Sequence, residues 1–185
     1  MKAIILNLFI AVGLFLGGCS DQSSLTGPSQ QDPQSSSDLT LISLGTNGLS
    51  KSFTVSKTIN GNNGGQIDIV GSFDDGQIQV NGTLTVPAGA YSGNQTITVR
   101  MDGQYAVLDF GPSPFTFDIP LNFTMEITGL KIKGNTKNIR FVYIADDGSV
   151  TPVEMQGTTV VGANGKSLSV YDAQLPHFSR YGWAK

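Results

Sequence analysis

The chain predicts an all-β body, an antiparallel β-sandwich, and three observations carry that expectation. The first is alternation between Gly76 and Met101. Ile78, Val80, Leu84 and Val86 share one phase with Gly82 among them, and Ile97, Val99 and Met101 repeat the pattern further on. A period of two over this length makes strands with one buried and one wet face. The second is turn chemistry. Asp74-Asp75-Gly76 and Asp146-Asp147-Gly148 separate apolar runs, and Asp and Gly accept the positive φ of a tight hairpin. The third is the lack of a 3.6-residue apolar period anywhere beyond residue 19. Many short strands with closely spaced turns mean a sandwich or a barrel. One-faced strands suit two sheets packed face to face.

Taken in order, Phe53, Val55 and Ile59 alternate around Lys57 in a first strand. After the loop Gly61-Asn62-Asn63-Gly64-Gly65, Ile67, Ile69 and Phe73 form a second. The Gly76–Met101 pair follows, its runs joined by Pro87-Ala88-Gly89-Ala90-Tyr91-Ser92-Gly93. Ile119, Leu121, Phe123, Met125 and Ile127 make the longest one-faced strand, opposed by Asn122, Thr124, Glu126 and Thr128. The run Ile139–Ala145 is apolar on both faces, which predicts a central strand. Short strands are expected near Val150–Met155, Thr158–Val161 and Leu168–Tyr171, with a last one near His177–Trp183.

Residues 1–18 read as an address. Lys2 precedes an apolar run, Ala3–Leu16, too short for a stable bilayer span. The run ends in Leu16-Gly17-Gly18-Cys19, which resembles a bacterial lipoprotein signal. By that resemblance Cys19 is diacylated and the chain is cut before it; an uncleaved anchor with an incidental Cys is the alternative. Residues 19–38 then make a lipidated Cys and a disordered linker. Ser, Gln, Pro and Asp dominate it, and Leu25 is its one large apolar residue, so it buries too little to offset its ordering entropy. Residues 39–185 form one domain, large enough to bury about two-thirds of the surface its unfolded chain exposes.

The composition excludes several function classes. The net charge of the 185-residue chain is −3, and Lys2 is the only charge in the leader, so the mature chain is slightly more acidic still. Nothing there suggests nucleic acid or an anionic membrane surface as a partner. Cys19 is the only cysteine and His177 the only histidine. Cysteine nucleophiles, disulfides and cysteine- or histidine-based metal sites are therefore not expected, and neither is a cofactor. No strand-to-helix nucleophile elbow is present, and acids scattered singly make no glycosidase pair.

Four stretches stand in an order that resembles a family. They are Gly64-Gly65, the run Leu84-Thr85-Val86-Pro87-Ala88-Gly89-Ala90, the segment Phe110-Gly111-Pro112-Ser113 to Phe117 and Pro120, and Leu175-Pro176-His177-Phe178-Ser179-Arg180-Tyr181. Together they resemble the ZU-five domain, a β-sandwich module of ankyrins, netrin receptors and tight-junction scaffolds, and above all its bacterial secreted relatives. The resemblance spans about Gly61 to Tyr181. Pro114 departs from it, standing where that family commonly has Gly. The resemblance implies a sandwich used for protein contacts. It also implies a test case for self-cleavage, because in some such domains a His-Phe-Ser triplet cuts its own backbone. Ser179 Oγ would attack the Phe178 carbonyl, His177 would assist proton transfer, and water would hydrolyse the resulting ester. That chemistry needs a distorted peptide. The bland reading makes the triplet an ordinary terminal strand with Phe178 in the core.

Three further groups have bland readings as well. The two Asp-Asp-Gly turns lack the spaced oxygen ligands of a calcium loop. Lys131, Lys133, Lys137 and Arg140 form a basic patch, expected to be a solvated hairpin tip. Tyr171, Tyr181 and Trp183 would make a sugar platform if they shared an open face, or would pack at the sandwich end if they did not.

The resulting expectation is a bacterial envelope protein anchored through Cys19, in the outer membrane rather than the inner because Ser20 and not Asp follows the cysteine. Its body is expected to be non-catalytic and to serve protein interaction or adhesion with an unidentified envelope partner. The alternatives are a self-processing domain cut between Phe178 and Ser179, and a carbohydrate-binding module.

Overall fold

The computed structural model describes residues 39–45, 52–153 and 159–185. The signal, Cys19 and the linker lie outside them. Eleven strands account for nearly all of the regular structure: β1 Phe53–Asn60, β2 Gly65–Phe73, β3 Ile78–Val86, β4 Asn94–Met101, β5 Val107–Gly111, β6 Phe115–Thr128, β7 Arg140–Ile144, β8 Val150–Pro152, β9 Thr159–Val161, β10 Ser167–Phe178 and β11 Arg180–Ala184. One 3-10 turn, Ala163–Gly165, is the only helical element among the described residues. No helix there is long and apolar enough to cross a membrane.

The strands form two antiparallel sheets that pack together as a sandwich, in the orders β1-β4-β5-β11-β7-β8 and β2-β3-β6-β10-β9. Between them lies one core containing Ile69, Leu84, Ile97, Phe123, Met125, Phe141, Tyr181 and Trp183. The alternating phases point as expected. In β3, Ile78, Val80, Gly82, Leu84 and Val86 all face the core. Gly82 holds its place in that row because a Cβ there would meet Thr124 O at 2.9 Å and the Met125 side chain at 3.1 Å. The methionine fills the space the glycine leaves.

The two runs of the Gly76–Met101 stretch do not pair with each other. β3 pairs with β2 and β6, whereas β4 pairs with β1 and β5 in the opposite sheet. Residues 87–93 are therefore a bridge between sheets. That bridge is laced to the Gly61–Gly64 turn, since Gly61 N donates to Gly93 O and Gly89 N to Gly61 O, both at 2.8 Å. Gly61 has no room for a side chain, because a Cβ would lie 2.2 Å from Tyr91 O. The Asp74-Asp75-Gly76 turn joins β2 to β3, with φ of 52°, 50° and 86°.

Three expectations need correction. Ile119 shares the phase of Leu121 yet is 43% exposed. The cause is an irregularity in the β6–β10 ladder, where Leu121 pairs with Leu175 but Thr116 pairs with His177. The extra β6 residues around Pro120, which has no N–H to donate, turn Ile119 out toward Gly89. Second, His177–Trp183 is not one strand. His177 and Phe178 end β10 in one sheet, Ser179 is a bend, and β11 runs in the other. The short strand expected at Leu168–Tyr171 is likewise the start of the twelve-residue β10. Third, residues 129–139 are not a hairpin tip, because β6 and β7 belong to different sheets. The Val150 and Thr159 strands are short, and Met155 and Thr158 lie outside the described residues.

β7 is interior to its sheet and buried on both faces. Phe141 packs in the main core, while Val142 and Ile144 join Val107, Val150 and Ala184 in a second cluster on the outer side. Leu39 and Leu41 cover that cluster. They belong to a strap, residues 39–45, whose other phase sends Ile42 and Leu44 into the main core. Thr40 N donates to Lys185 O at 2.8 Å and Lys185 N to Thr40 O at 3.0 Å. The strap thus runs antiparallel to the end of β11.

Candidate functional site at the sheet crossover

The four sequence stretches that carry the family resemblance converge at one end of the sandwich. The Gly61–Gly64 turn holds the 87–93 bridge, as above. Asp118 N donates to Ala90 O at 2.8 Å, bringing in β6. Tyr91 packs edge-on against Phe115 at 5.5 Å, and Phe115 and Phe117 meet Phe178 at 5.7 and 4.7 Å. Aromatic pairs in these geometries add to the stabilisation from burial alone. Phe178 is the hub of this cluster and is 2% exposed.

Phe178 is fixed by β10, and the chain must then leave for the other sheet. That departure is held on both sides of Ser179. Ser113 Oγ donates to Phe178 O at 3.1 Å, and Phe110 N donates to Ser179 O at 2.9 Å. Arg180 then meets Asp109 at 2.9 Å, with Arg100 on the same carboxylate at 3.5 Å. These ion pairs are about half exposed, so screening leaves them little weight in stability.

His177 is half-buried and faces aromatic groups. Tyr181 OH lies 3.3 Å from His177 Nδ1 and donates to His177 O at 3.1 Å. The Tyr143 ring stands edge-on to the imidazole at 5.1 Å. Burial, and then the neighbouring Tyr143, raise the Tyr181 pKa well above the ordinary tyrosine value. Tyr181 therefore stays a neutral donor throughout the physiological range. No hydrogen bond joins His177 to Ser179 among the described residues. Left-handed φ at non-glycine residues occurs at Asp74, Asp75, Asn164 and Asp172, none of them in the triplet.

The arrangement thus brings together a carbonyl already bonded by a hydroxyl, an adjacent serine, and a histidine engaged with a tyrosine. Ser113 is the residue that sequence reasoning did not single out. Its signal was present, since it closes the Gly111-Pro112-Ser113 stretch, but only the fold sets it against residue 178.

The other candidate groups are placed apart. Trp183 and Tyr181 are 0% and 1% exposed, and Tyr171 is 43% exposed. The three therefore share no open face. Asp147 Oδ1 accepts from Ser149 N at 2.8 Å within the turn, and hydrogen bonding from the Ser149 side chain, then from its backbone N–H, lowers the Asp147 pKa. No three of His, Cys, Asp and Glu converge among the described residues.

No protein-family model matches the chain, and no curated protein matches it. The likeness to the ZU-five domain rests on its four motifs.

Proposed function

We propose that the chain is a lipoprotein of the bacterial envelope, held in the outer membrane through acylated Cys19, whose ZU-five-like sandwich is a non-catalytic module for protein interaction or adhesion. The observation that carries the anchor is the Leu16-Gly17-Gly18-Cys19 boundary, with the polar run of residues 20–38 behind it. The non-catalytic reading draws support from the crossover. There Phe178 is a core residue and the His177 imidazole is turned to Tyr181 and Tyr143, each a packing role. Protein contact is supported by the architecture, because an open sandwich ends in edge strands, here β1, β8, β2 and β9. Such edges add strands from partners.

The anchor is tested by detergent phase partition of the protein made in a bacterium with a lipoprotein pathway. The native chain enters the detergent phase, and Cys19→Ala leaves it in the aqueous phase. Native protein found in the aqueous phase overturns the anchor.

One observation favours the second reading, self-cleavage between Phe178 and Ser179. The Ser113 hydroxyl already donates to the carbonyl that Ser179 would attack, as an oxyanion donor would. A fragment ending at Phe178, lost in Ser179→Ala, would establish it; a single uncut chain rejects it.

A further inference from the structure

We propose that the end of the sandwich carrying the strap is a docking face for an anionic phospholipid surface. The proposal rests on the anchored reading and adds an orientation to it.

The net charge of −3 conceals a local cluster. The strap, the 129–139 crossover and Lys185 enclose a cleft of about 360 Å³. Leu41, Ile42 and Ile132 are its apolar lining, Lys131, Lys133 and Lys185 its cations, and no acidic residue lines it. The crossover is fixed in place, since Leu130 N donates to Lys166 O at 3.0 Å and Ile132 N to Gly165 O at 3.1 Å. Lys185 Nζ closes the rim by donating to Lys133 O at 2.9 Å. Lys166 is brought alongside by the same backbone bonds, and Arg140 is paired with Ala184 at the start of β7. With Lys137 on the crossover, six of the eleven cations of the chain gather at this end. Acids near it among the described residues include Asp74 and Asp75, in the hairpin against Gly129, Asp102, whose carboxylate accepts from Gln104 N, and the exposed Glu126 near the end of β6.

A membrane suits this face better than a free phosphate or an acidic peptide because of where the chain leaves the body. Leu39 begins the same strap, packed on the outer cluster beside β7, and residues 19–38 lead from it to the acylated cysteine. Twenty residues reach at most about 70 Å, so the tether keeps this face at a raised effective concentration near the headgroups. Each ammonium beside an anionic leaflet then strengthens association by roughly fivefold. The attraction fades over about 8 Å at physiological salt, so docking is short-ranged and salt-sensitive.

The test uses the mature lipidated protein in vesicles of phosphatidylcholine alone, or of phosphatidylcholine mixed with phosphatidylglycerol. Lysines are acylated with a water-soluble reagent and read peptide by peptide. On the anionic vesicles Lys131 and Lys133 lose about fivefold or more of their labelling and regain it at high salt, while Lys57, midway along β1, does not change. In Lys131→Glu/Lys133→Glu, which alters only exposed side chains, Lys137 loses the same protection. Equal labelling on both vesicles, with the protein floating alongside them, overturns the docking face and leaves the anchor standing. Protection on neutral vesicles as well means another occupant and also overturns it. Protein that fails to float removes the anchored reading and this proposal together.

Discussion

Ser113 Oγ and Phe178 O are 65 residues apart in sequence and 3.1 Å apart in space. Their hydrogen bond fastens the last core residue of β10 to the β5–β6 connection, just where the chain turns into the other sheet. Ser113→Ala removes one partner of a half-buried carbonyl and should cost about 1 kcal/mol. Urea unfolding checks this: the midpoint falls while the slope stays constant. The intact mass of the variant stays that of the uncut chain.

Trp183 is fully buried in β11 and packs edge-on against Phe141 at 4.9 Å. Its Nε1 has no hydrogen-bond partner among the described residues. Trp183→Ala should therefore lose about 3–5 kcal/mol, while Trp183→Phe, which also deletes the unpaired donor, loses less. Thermal unfolding of the pair gives the comparison. A Trp183→Ala protein of native stability that has lost glycan binding would restore the carbohydrate reading.

Tyr181 gives the body an alkaline limit. Its folded-state pKa is raised by burial and by Tyr143, and burial raises that of Tyr91 too. Above about pH 10 the unfolded chain ionises these phenols while the folded one keeps its protons. The stability is fully present below that pH and falls as pH climbs toward the raised folded values. Melting temperature followed from pH 8 to 11 should drop in the upper part of that range. Tyr181→Phe, although weaker at neutral pH for want of its bond to His177 O, should drop less steeply.

The strap predicts a stability contribution from residues outside every long strand. Ile42 and Leu44 are each 3% exposed, so replacing either with Ala should cost about 2–5 kcal/mol. Amide exchange gives a second measure. Trp183 O accepts from Ile42 N at 2.9 Å, and protection of that amide should fall in Leu44→Ala before β3 or β6 loses protection.

The face of each strand was legible because burial follows a period of two, and β3 shows it most plainly. Membership of a sheet was not legible, because alternation says which side is buried and is silent on which neighbour is paired. β3 and β4, and again β10 and β11, follow one another and belong to different sheets. Ile119 departs from its phase for a related reason. Its phase matched Leu121, but the ladder irregularity beside Pro120 lies in the pairing, and pairing is non-local. The doubly apolar Ile139–Ala145 run did announce a strand covered on both sides. What covers it, Leu39 and Leu41, was hidden by a strap with two short apolar phases in place of one long one. At the crossover, the order of the motifs pointed to His177-Phe178-Ser179. The bond from Ser113 and the turn of His177 toward Tyr181 depend on contacts between distant segments.

The most direct measurement is the intact mass of the mature protein recovered from a bacterial membrane. The account predicts one species running from Cys19 to Lys185, heavier than its polypeptide by the acyl groups on Cys19 and unaltered at its C-terminal end in Ser179→Ala. An unmodified Cys19 would contradict the anchor, and a native chain ending at Phe178 would contradict the non-catalytic reading.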